Sequence, residues 1–272
     1  MSVDALHPIA GKHAIQSAAF ILQWPVPLER ETLVGARALA DQLRPWFSVV
    51  QEQKSITIEI APTESGRQLA PLQQDDLAGV HFIQPNPALG PAGVTRALQL
   101  QRDQINIVVN DYTRWDEAWP KIENWLRILL PVILNGRPVS GVILQYNDIF
   151  EWRGNPADIV LSEIFRAESK YLNRDIFEAP NLWHLHQGVV FTRTDPVPHQ
   201  LIENVNLSVS DINARRAISI FTSHHAILNT PLWELDVAKD KLAEVADDLH
   251  ERNKDVIREV LTSAVCQKIG LV

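Results

Sequence analysis

Two similar stretches stand out in the sequence, FILQW at residues 20–24 and VILQY at residues 142–146. Each combines aliphatic residues with a Leu-Gln-aromatic ending, and runs of this composition favour β-strands. In both halves of the chain the stretch precedes the same predicted order of a helix, several antiparallel strands and a second helix. The repeat predicts an α+β fold of two tandem related modules that arose by internal duplication, the first over residues 1–136 and the second over residues 137–272.

The helices and strands of this prediction follow from hydrophobic periodicity. Apolar residues recur every three or four positions between residues 115 and 133, which predicts a helix that ends at Asn135-Gly136, the predicted module boundary. Runs rich in β-branched residues predict a three-stranded antiparallel meander over residues 182–227. A second apolar stripe predicts a long C-terminal helix over residues 235–264, packed on a sheet because the stripe must be buried.

The composition is typical of a globular protein, with 46% hydrophobic and 21% charged residues. The formal net charge of −8 argues against general nucleic-acid binding, which needs a basic surface. The longest apolar run, residues 125–134, contains Arg127 and Pro131 and is too short to span a membrane. The acidic N-terminus lacks the pattern of a signal peptide, and Cys266 is the single cysteine. We therefore expect a cytoplasmic protein without an internal disulfide.

Histidines form the sharpest local pattern, in the segment Trp183-His184-Leu185-His186. On a strand His184 and His186 face the same side, as two zinc ligands often do, and His224 lies on a nearby predicted strand. No cysteine or carboxylate is placed to complete a site of three or four ligands, so we expect no metal. The chain also lacks a Gly-x-Ser-x-Gly elbow and a glycine-rich phosphate loop. We therefore expect no catalytic residues and no cofactor, and the sequence favours a protein that is not an enzyme.

Two polar residues of the last predicted helix, His250 and Asn253, lie on one stripe beside the apolar one. Polar groups at the edge of a buried face need hydrogen-bond partners, so these residues either tie the helix to the sheet or face a cleft. In the second case, the protein is a small-molecule-binding protein or an enzyme with a pocket between the long helix and the sheet. The polar cluster of that pocket is then His184, His186, His224, His250 and Asn253.

Tryptophan is unusually frequent, with eight residues against three tyrosines. Trp24, Trp152 and Trp233 lie beside predicted turns or element ends, where a large ring either caps a core or anchors a partner. Together with Arg153 they are the candidate partner-binding residues. The acidic charge and the absence of a catalytic motif favour a non-enzymatic protein-interaction scaffold, which self-associates or binds a basic protein partner.

Several short motifs are shared with a known family. The segments IFEWR at residues 149–153 and WHLHQG at residues 183–188, with the endings at residues 250–253, 261–262 and 269–271, resemble a sporadically distributed family of uncharacterised bacterial proteins of about this length. The family has no established activity. Its patchy occurrence resembles that of genes acquired with mobile elements or defence systems, and the resemblance therefore implies a protein partner.

Overall fold

A computed structural model describes residues 2–57, 60–63, 66–69, 73–90, 93–179, 182–212, 215–233 and 235–271. The strands in chain order are β1 Leu6–Pro8, β2 Ile15–Gln23, β3 Val49–Thr57, β4 Ile60–Thr63, β5 Gly66–Leu69, β6 Gln73–Pro85, β7 Val94–Gln101, β8 Gln104–Val109, β9 Val139–Trp152, β10 Trp183–Arg193, β11 His199–Ile212 and β12 Arg215–Leu232. The α-helices are α1 Ser2–Ala5, α2 Arg30–Arg37, α3 Ala40–Leu43, α4 Trp115–Ile133, α5 Leu161–Ile164, α6 Leu235–Val260 and α7 Ser263–Lys268.

Strands from both halves of the chain form one ten-stranded antiparallel sheet. Its order is β10-β11-β12-β9-β2-β8-β7-β6-β3, with β1 paired to the end of β9, while β4 and β5 form a separate hairpin. The two strands that contain FILQW and VILQY, β2 and β9, are neighbours at the centre of the sheet. Ile21 lies opposite Ile143, and Phe20 lies opposite Leu144. The predicted meander is confirmed, because β10, β11 and β12 pair in that order with antiparallel registers.

The predicted fold of two tandem modules, each with its own sheet, is wrong. Because β2 and β9 pair with each other, one sheet runs through both halves of the chain, and each of its two apolar clusters contains residues of both halves. The predicted long C-terminal helix also needs correction. Helix α6 ends at Val260, Leu261 then forms a β-bridge with Phe165, and the last helix of the chain is the six-residue α7. The helix predicted to follow VILQY in the second half is only the four-residue α5.

Helices α4 and α6 cover the same face of the sheet, here called the inner face. Phe20 of β2 contacts Trp119 of α4 edge-on at a ring distance of 5.1 Å, and Tyr146 of β9 bonds to His250 of α6. Alternate residues of a strand share a face, so Leu22 and Leu144 also point inward, where both are buried. No helix in the described part of the chain is long and apolar enough to cross a membrane.

The opposite, outer face carries rows of side-chain amides that bond to one another across strands. The hydrogen bonds join Gln23 to Gln104, Gln104 to Gln101, Asn106 to Gln99, Gln145 to Ser223, Asn147 to Gln16, and His186 to Asn206. The registers place these residues opposite or diagonal to one another, as cross-strand hydrogen bonding requires. Each amide thereby finds a partner without a charged group.

Candidate functional site

A cavity of about 510 Å³ opens between α6, the start of α4 and the central strands β2 and β9. Its lining includes Ala14 and Asp148 from the sheet side, Tyr112 and Trp115 around the start of α4, and His250 and Asn253 from α6. A larger groove, about 880 Å³, surrounds Trp233 but is lined mainly by prolines and turn residues. The smaller cavity is the candidate site because Asp148 and His250, two titratable groups whose pKa values are shifted by burial, line it.

Asp148 is the most unusual side chain of this cavity. It lies on β9, in the inward-facing register of Leu144 and Tyr146, and is only 4% exposed. Its Oδ2 atom is buried and has no hydrogen-bond partner among the described residues. Burial raises the pKa of this carboxyl to about 7. Asp148 therefore changes its charge near neutral pH, inside the protein.

A β-bulge in β2 keeps Asp148 without a partner. Ser17 lies opposite Asn147, but Ile15 and not Gln16 lies opposite Asp148. In a regular ladder Gln16 would occupy that place, and its amide would face the carboxyl. Instead, the Gln16 side chain lies on the outer face, where its Oε1 accepts a 3.1 Å hydrogen bond from Asn147 Nδ2. The bulge thus replaces a potential hydrogen-bond donor by an aliphatic side chain.

Two tyrosines lie close enough to the carboxyl to interact with it electrostatically. Tyr146 precedes Asp148 by two residues on the same face, and its hydroxyl lies 2.8 Å from His250 Nδ1. The ring of Tyr112 meets that of Tyr146 edge-on at 5.7 Å, and the ring of His13 meets Tyr112 edge-on at 6.0 Å. Burial raises the pKa of both tyrosines, so both hydroxyls stay protonated at neutral pH.

His250 is held by contacts on several sides. Its ring stacks on Trp115 at 4.8 Å with an interplanar angle of 12°, and Trp115 in turn stacks on Trp119. Trp115 Nε1 donates a 2.6 Å hydrogen bond to Asp247 Oδ1 of α6, which fixes the start of α4 against α6. Burial, reinforced by the nearby Lys254 ammonium, lowers the pKa of His250 to about 4. The imidazole is therefore uncharged at neutral pH.

The charged side chains that line the mouth of the cavity are paired with each other. Arg114 Nε lies 2.6 Å from Asp116 Oδ1, and Lys254 Nζ lies 2.8 Å from Glu251 Oε1. These pairs neutralise two cations and two carboxylates. Among the described residues that line the cavity, Asp148 is the carboxyl that this pairing leaves without a counter-charge.

Asn253 connects the cavity to the sheet behind it. Its Oδ1 accepts a 2.6 Å hydrogen bond from Thr222 Oγ1 and a 3.2 Å hydrogen bond from His224 Nε2, both on β12. Because both contacts use the oxygen, the amide nitrogen is the group that Asn253 offers to the cavity that it lines. This residue therefore both ties α6 to the sheet and supplies a donor to the site.

A buried ion pair lies behind His224. Glu203 of β11 is fully buried and accepts hydrogen bonds of 2.6 and 3.0 Å from Nε and Nη2 of Arg252, and one from the Tyr171 hydroxyl. His224 Nδ1 lies 3.3 Å from its Oε2. Burial opposes ionisation of Glu203, but its interactions with His224, Arg252 and Tyr171 outweigh it and lower the pKa to about 2. An ionised Glu203 thus holds α6 to β11.

The structure brings together only part of the predicted polar cluster. His224, His250 and Asn253 lie on the inner face or on α6, within one connected region. His184 and His186 lie on the outer face of β10, where His186 bonds to Asn206. Among the described residues, no group of three or more histidine, cysteine, aspartate or glutamate side chains is placed to hold a metal ion.

The candidate partner-binding residues fall into two classes. Trp24 and Trp152 are 4% and 5% exposed, and their indole nitrogens donate to the carbonyl oxygens of Arg102 and Asn155. These two rings are therefore part of the core. Arg153 pairs with Glu151, whereas Trp233 is 61% exposed at the edge of the larger groove.

Sequence reasoning missed Asp148 and its aromatic neighbours. A signal for Asp148 was present, because it shares the even-numbered register of Leu144, Tyr146 and Phe150, and from Val142 to Trp152 the other even positions are apolar or aromatic. A carboxyl in that register must point into the core. Tyr112 and His13 lie outside the regular elements, and their position beside Asp148 had no local signal.

No protein-family model matches this chain, and no curated protein matches it in sequence. The interpretation of the cavity therefore rests on its geometry.

Proposed function

We propose that the protein binds a small organic ligand in the cavity between α6 and the sheet, with Asp148 as the hydrogen-bond acceptor at its floor. The observation that supports this proposal is the buried Asp148 carboxyl, whose Oδ2 has no partner among the described residues of the cavity. Buried polar groups in proteins are nearly always paired, and an unpaired one costs about 1–3 kcal/mol. A buried titratable group in a cleft is typical of a ligand-binding or catalytic site.

The size and construction of the cavity agree with this role. A volume of about 510 Å³ is that of a site for a small ligand. Its walls are fixed before any ligand enters, by the bond from Trp115 to Asp247 and by the bonds that hold Asn253 and His250. A preformed site loses less entropy on binding than one that must be ordered by its ligand.

The interaction scaffold expected from the sequence, with a defence- or mobile-element-associated partner, stays a prediction. Two of its four residues, Trp24 and Trp152, are buried, and a ring in the core cannot anchor a partner. Trp233 remains exposed at the edge of the larger groove. Ligand binding therefore has the stronger support, and no catalytic step is part of the proposal.

The test is a fragment screen by ligand-observed NMR on the full chain and on two variants. Asp148→Leu replaces the carboxyl by an aliphatic group of similar size in apolar surroundings and removes the acceptor. Asp41→Leu is the matched control, because the Asp41 side chain is 96% exposed on α3. We expect fragments whose signals vanish with Asp148→Leu and persist with Asp41→Leu, when both variants unfold cooperatively. If every binding fragment responds equally to the two variants, the proposed site is wrong.

A further inference from the structure

We infer that the ligand of this cavity is an organic cation, and that its ammonium or related N–H group binds directly to the Asp148 carboxylate. The inference rests on the proposed function and specifies the chemical class of the ligand. Its basis is the juxtaposition, in one cavity, of the unpaired Asp148 Oδ2 with the ring of Tyr112 and with a mouth whose own charges are already paired.

The charged side chains that line the cavity leave one carboxyl without a positive partner. The described lining contains the carboxyls of Asp116, Asp148 and Glu251 against the cations Arg114 and Lys254. Both cations have their own carboxylate partners at the mouth, so neither neutralises Asp148. The two histidines do not add positive charge at neutral pH, because burial lowers the pKa of both His13 and His250.

The aromatic rings suit the same ligand class. Tyr112 and Trp115 line the cavity together with Asp148, and Tyr112 meets the buried ring of Tyr146 edge-on at an interplanar angle of 84°. The face of an aromatic ring attracts a cation, and the attraction is stronger when the cation is removed from water. A carboxylate beside aromatic walls therefore offers a cation both a counter-charge and favourable ring contacts.

Other ligand classes fit this chemistry less well. An anion would approach an uncompensated carboxyl in a buried place, where like charges repel strongly. A neutral hydroxyl would donate a hydrogen bond but would leave the carboxylate charge without a partner. An ammonium group brings a full positive charge and up to three donors, which match the two oxygens of Asp148.

The test compares three probes of equal length, n-butylammonium, 1-butanol and butyrate, by calorimetric or NMR titration of the full chain at pH 8. We expect n-butylammonium to bind the wild type most tightly of the three probes. Its affinity for Asp148→Asn should be at least tenfold lower, and its affinity for Asp41→Asn should equal that for the wild type. Because a proton and the cation compete for Asp148, we also expect about tenfold weaker binding at pH 6 than at pH 8. The other titratable groups of the described lining are His13, Tyr112, Arg114, Asp116, His250, Glu251 and Lys254. Burial lowers the pKa of the two histidines and raises that of Tyr112.

The outcomes separate this inference from the proposed function. If butanol or butyrate binds as tightly as n-butylammonium and loses affinity with Asp148→Leu, the ligand class is wrong and the cavity remains a binding site. The class is also wrong if n-butylammonium binds equally to the wild type and Asp148→Asn, or if no probe binds while fragments in the screen do. If neither probes nor fragments bind, both proposals are wrong.

Discussion

Ile15 lies opposite Asp148 in the β2–β9 pair, in the place that a regular ladder would give to Gln16. The consequence is a carboxyl whose neighbour across the ladder is aliphatic and whose charge is not neutralised within the described lining. Bulges next to functional sites commonly re-aim a side chain in this way. Here the bulge places an aliphatic side chain opposite a carboxyl whose pKa is raised by burial, and the first prediction concerns the ionisation of that carboxyl.

Replacing Asp148 by asparagine should stabilise the protein at alkaline pH. The pKa of Asp148 is about 7 in the folded state against an ordinary value of 3.8, so the folded state holds the proton more tightly than the unfolded state. The stability contributed by this group is present below pH 4, falls as the pH rises and is lost above pH 7. The loss is at most about 4 kcal/mol, from 1.36 kcal/mol per pKa unit.

Urea unfolding at pH 5 and pH 8 measures this effect. We expect the free energy of unfolding of Asp148→Asn to be larger than that of the wild type at pH 8. At pH 5 the difference between the two proteins should be smaller. The same pH dependence in both proteins would show that Asp148 has an ordinary pKa in the folded state.

His250→Phe should change the pH dependence in the opposite direction. The pKa of His250 is about 4 in the folded state against 6.5, so the unfolded state binds more protons between these values. Stability from this group therefore falls as the pH decreases from 6.5 to 4, by at most about 3 kcal/mol. In the wild type this slope opposes that of Asp148. Unfolding from pH 4 to pH 6.5 should show a smaller change for the wild type than for either single variant, and a steeper wild-type curve would contradict this.

Glu203→Gln should destabilise the protein at pH 7. The change leaves Arg252 without its buried counter-ion, and breaking a buried ion pair costs about 3–5 kcal/mol. Because its pKa is lowered to about 2 from 4.5, the stability that Glu203 contributes is present above pH 4.5 and is lost as the pH falls towards 2. Glu123→Gln is the control, since Glu123 forms an exposed pair with Arg127 that should contribute less than about 1 kcal/mol. Equal effects of the two changes in urea unfolding would contradict the assigned role of Glu203.

The two halves of the chain should not fold separately. Cutting between residues 136 and 137 turns β2 and β9, the central strands of the sheet, into exposed edges and uncovers buried side chains such as Phe20 and Leu144. We expect residues 1–136 and 137–272 to be unfolded or aggregated alone and the whole chain to unfold in one transition. Circular dichroism and gel filtration of each fragment provide the measurement. Cooperative unfolding of either isolated fragment would overturn this expectation.

Local patterns predicted the elements of the fold better than their arrangement. Runs of aliphatic and β-branched residues mark β9 to β12, and the apolar stripe marks α4, because these signals reside in neighbouring residues. The pairing of Ile21 with Ile143 joins residues far apart in the chain, and no local signal records which strand edges meet. The assumption that each half has its own sheet failed for this reason.

The residues of the candidate site were likewise predicted from the sequence only in part. His250 and Asn253 were recognised because helical spacing places them beside a buried stripe, and Asp148 had a similar signal in its strand register. The bulge at Gln16 and the position of Tyr112 depend on the register of distant strands and on the path of the chain outside them. These features leave the Asp148 carboxyl without a hydrogen-bond partner, and the periodicity of the sequence does not predict them.

The amide rows of the outer face give the two faces of the sheet different responses to ionic strength. Bonds such as that from Gln145 to Ser223 join uncharged groups, so salt does not screen them. Any contact made through these rows should therefore persist in concentrated salt. Binding of a cation at Asp148 on the inner face should instead weaken as salt is added, because dissolved cations compete for the same carboxylate and screen its field. A salt titration alone would thus show which face of the sheet a bound molecule occupies.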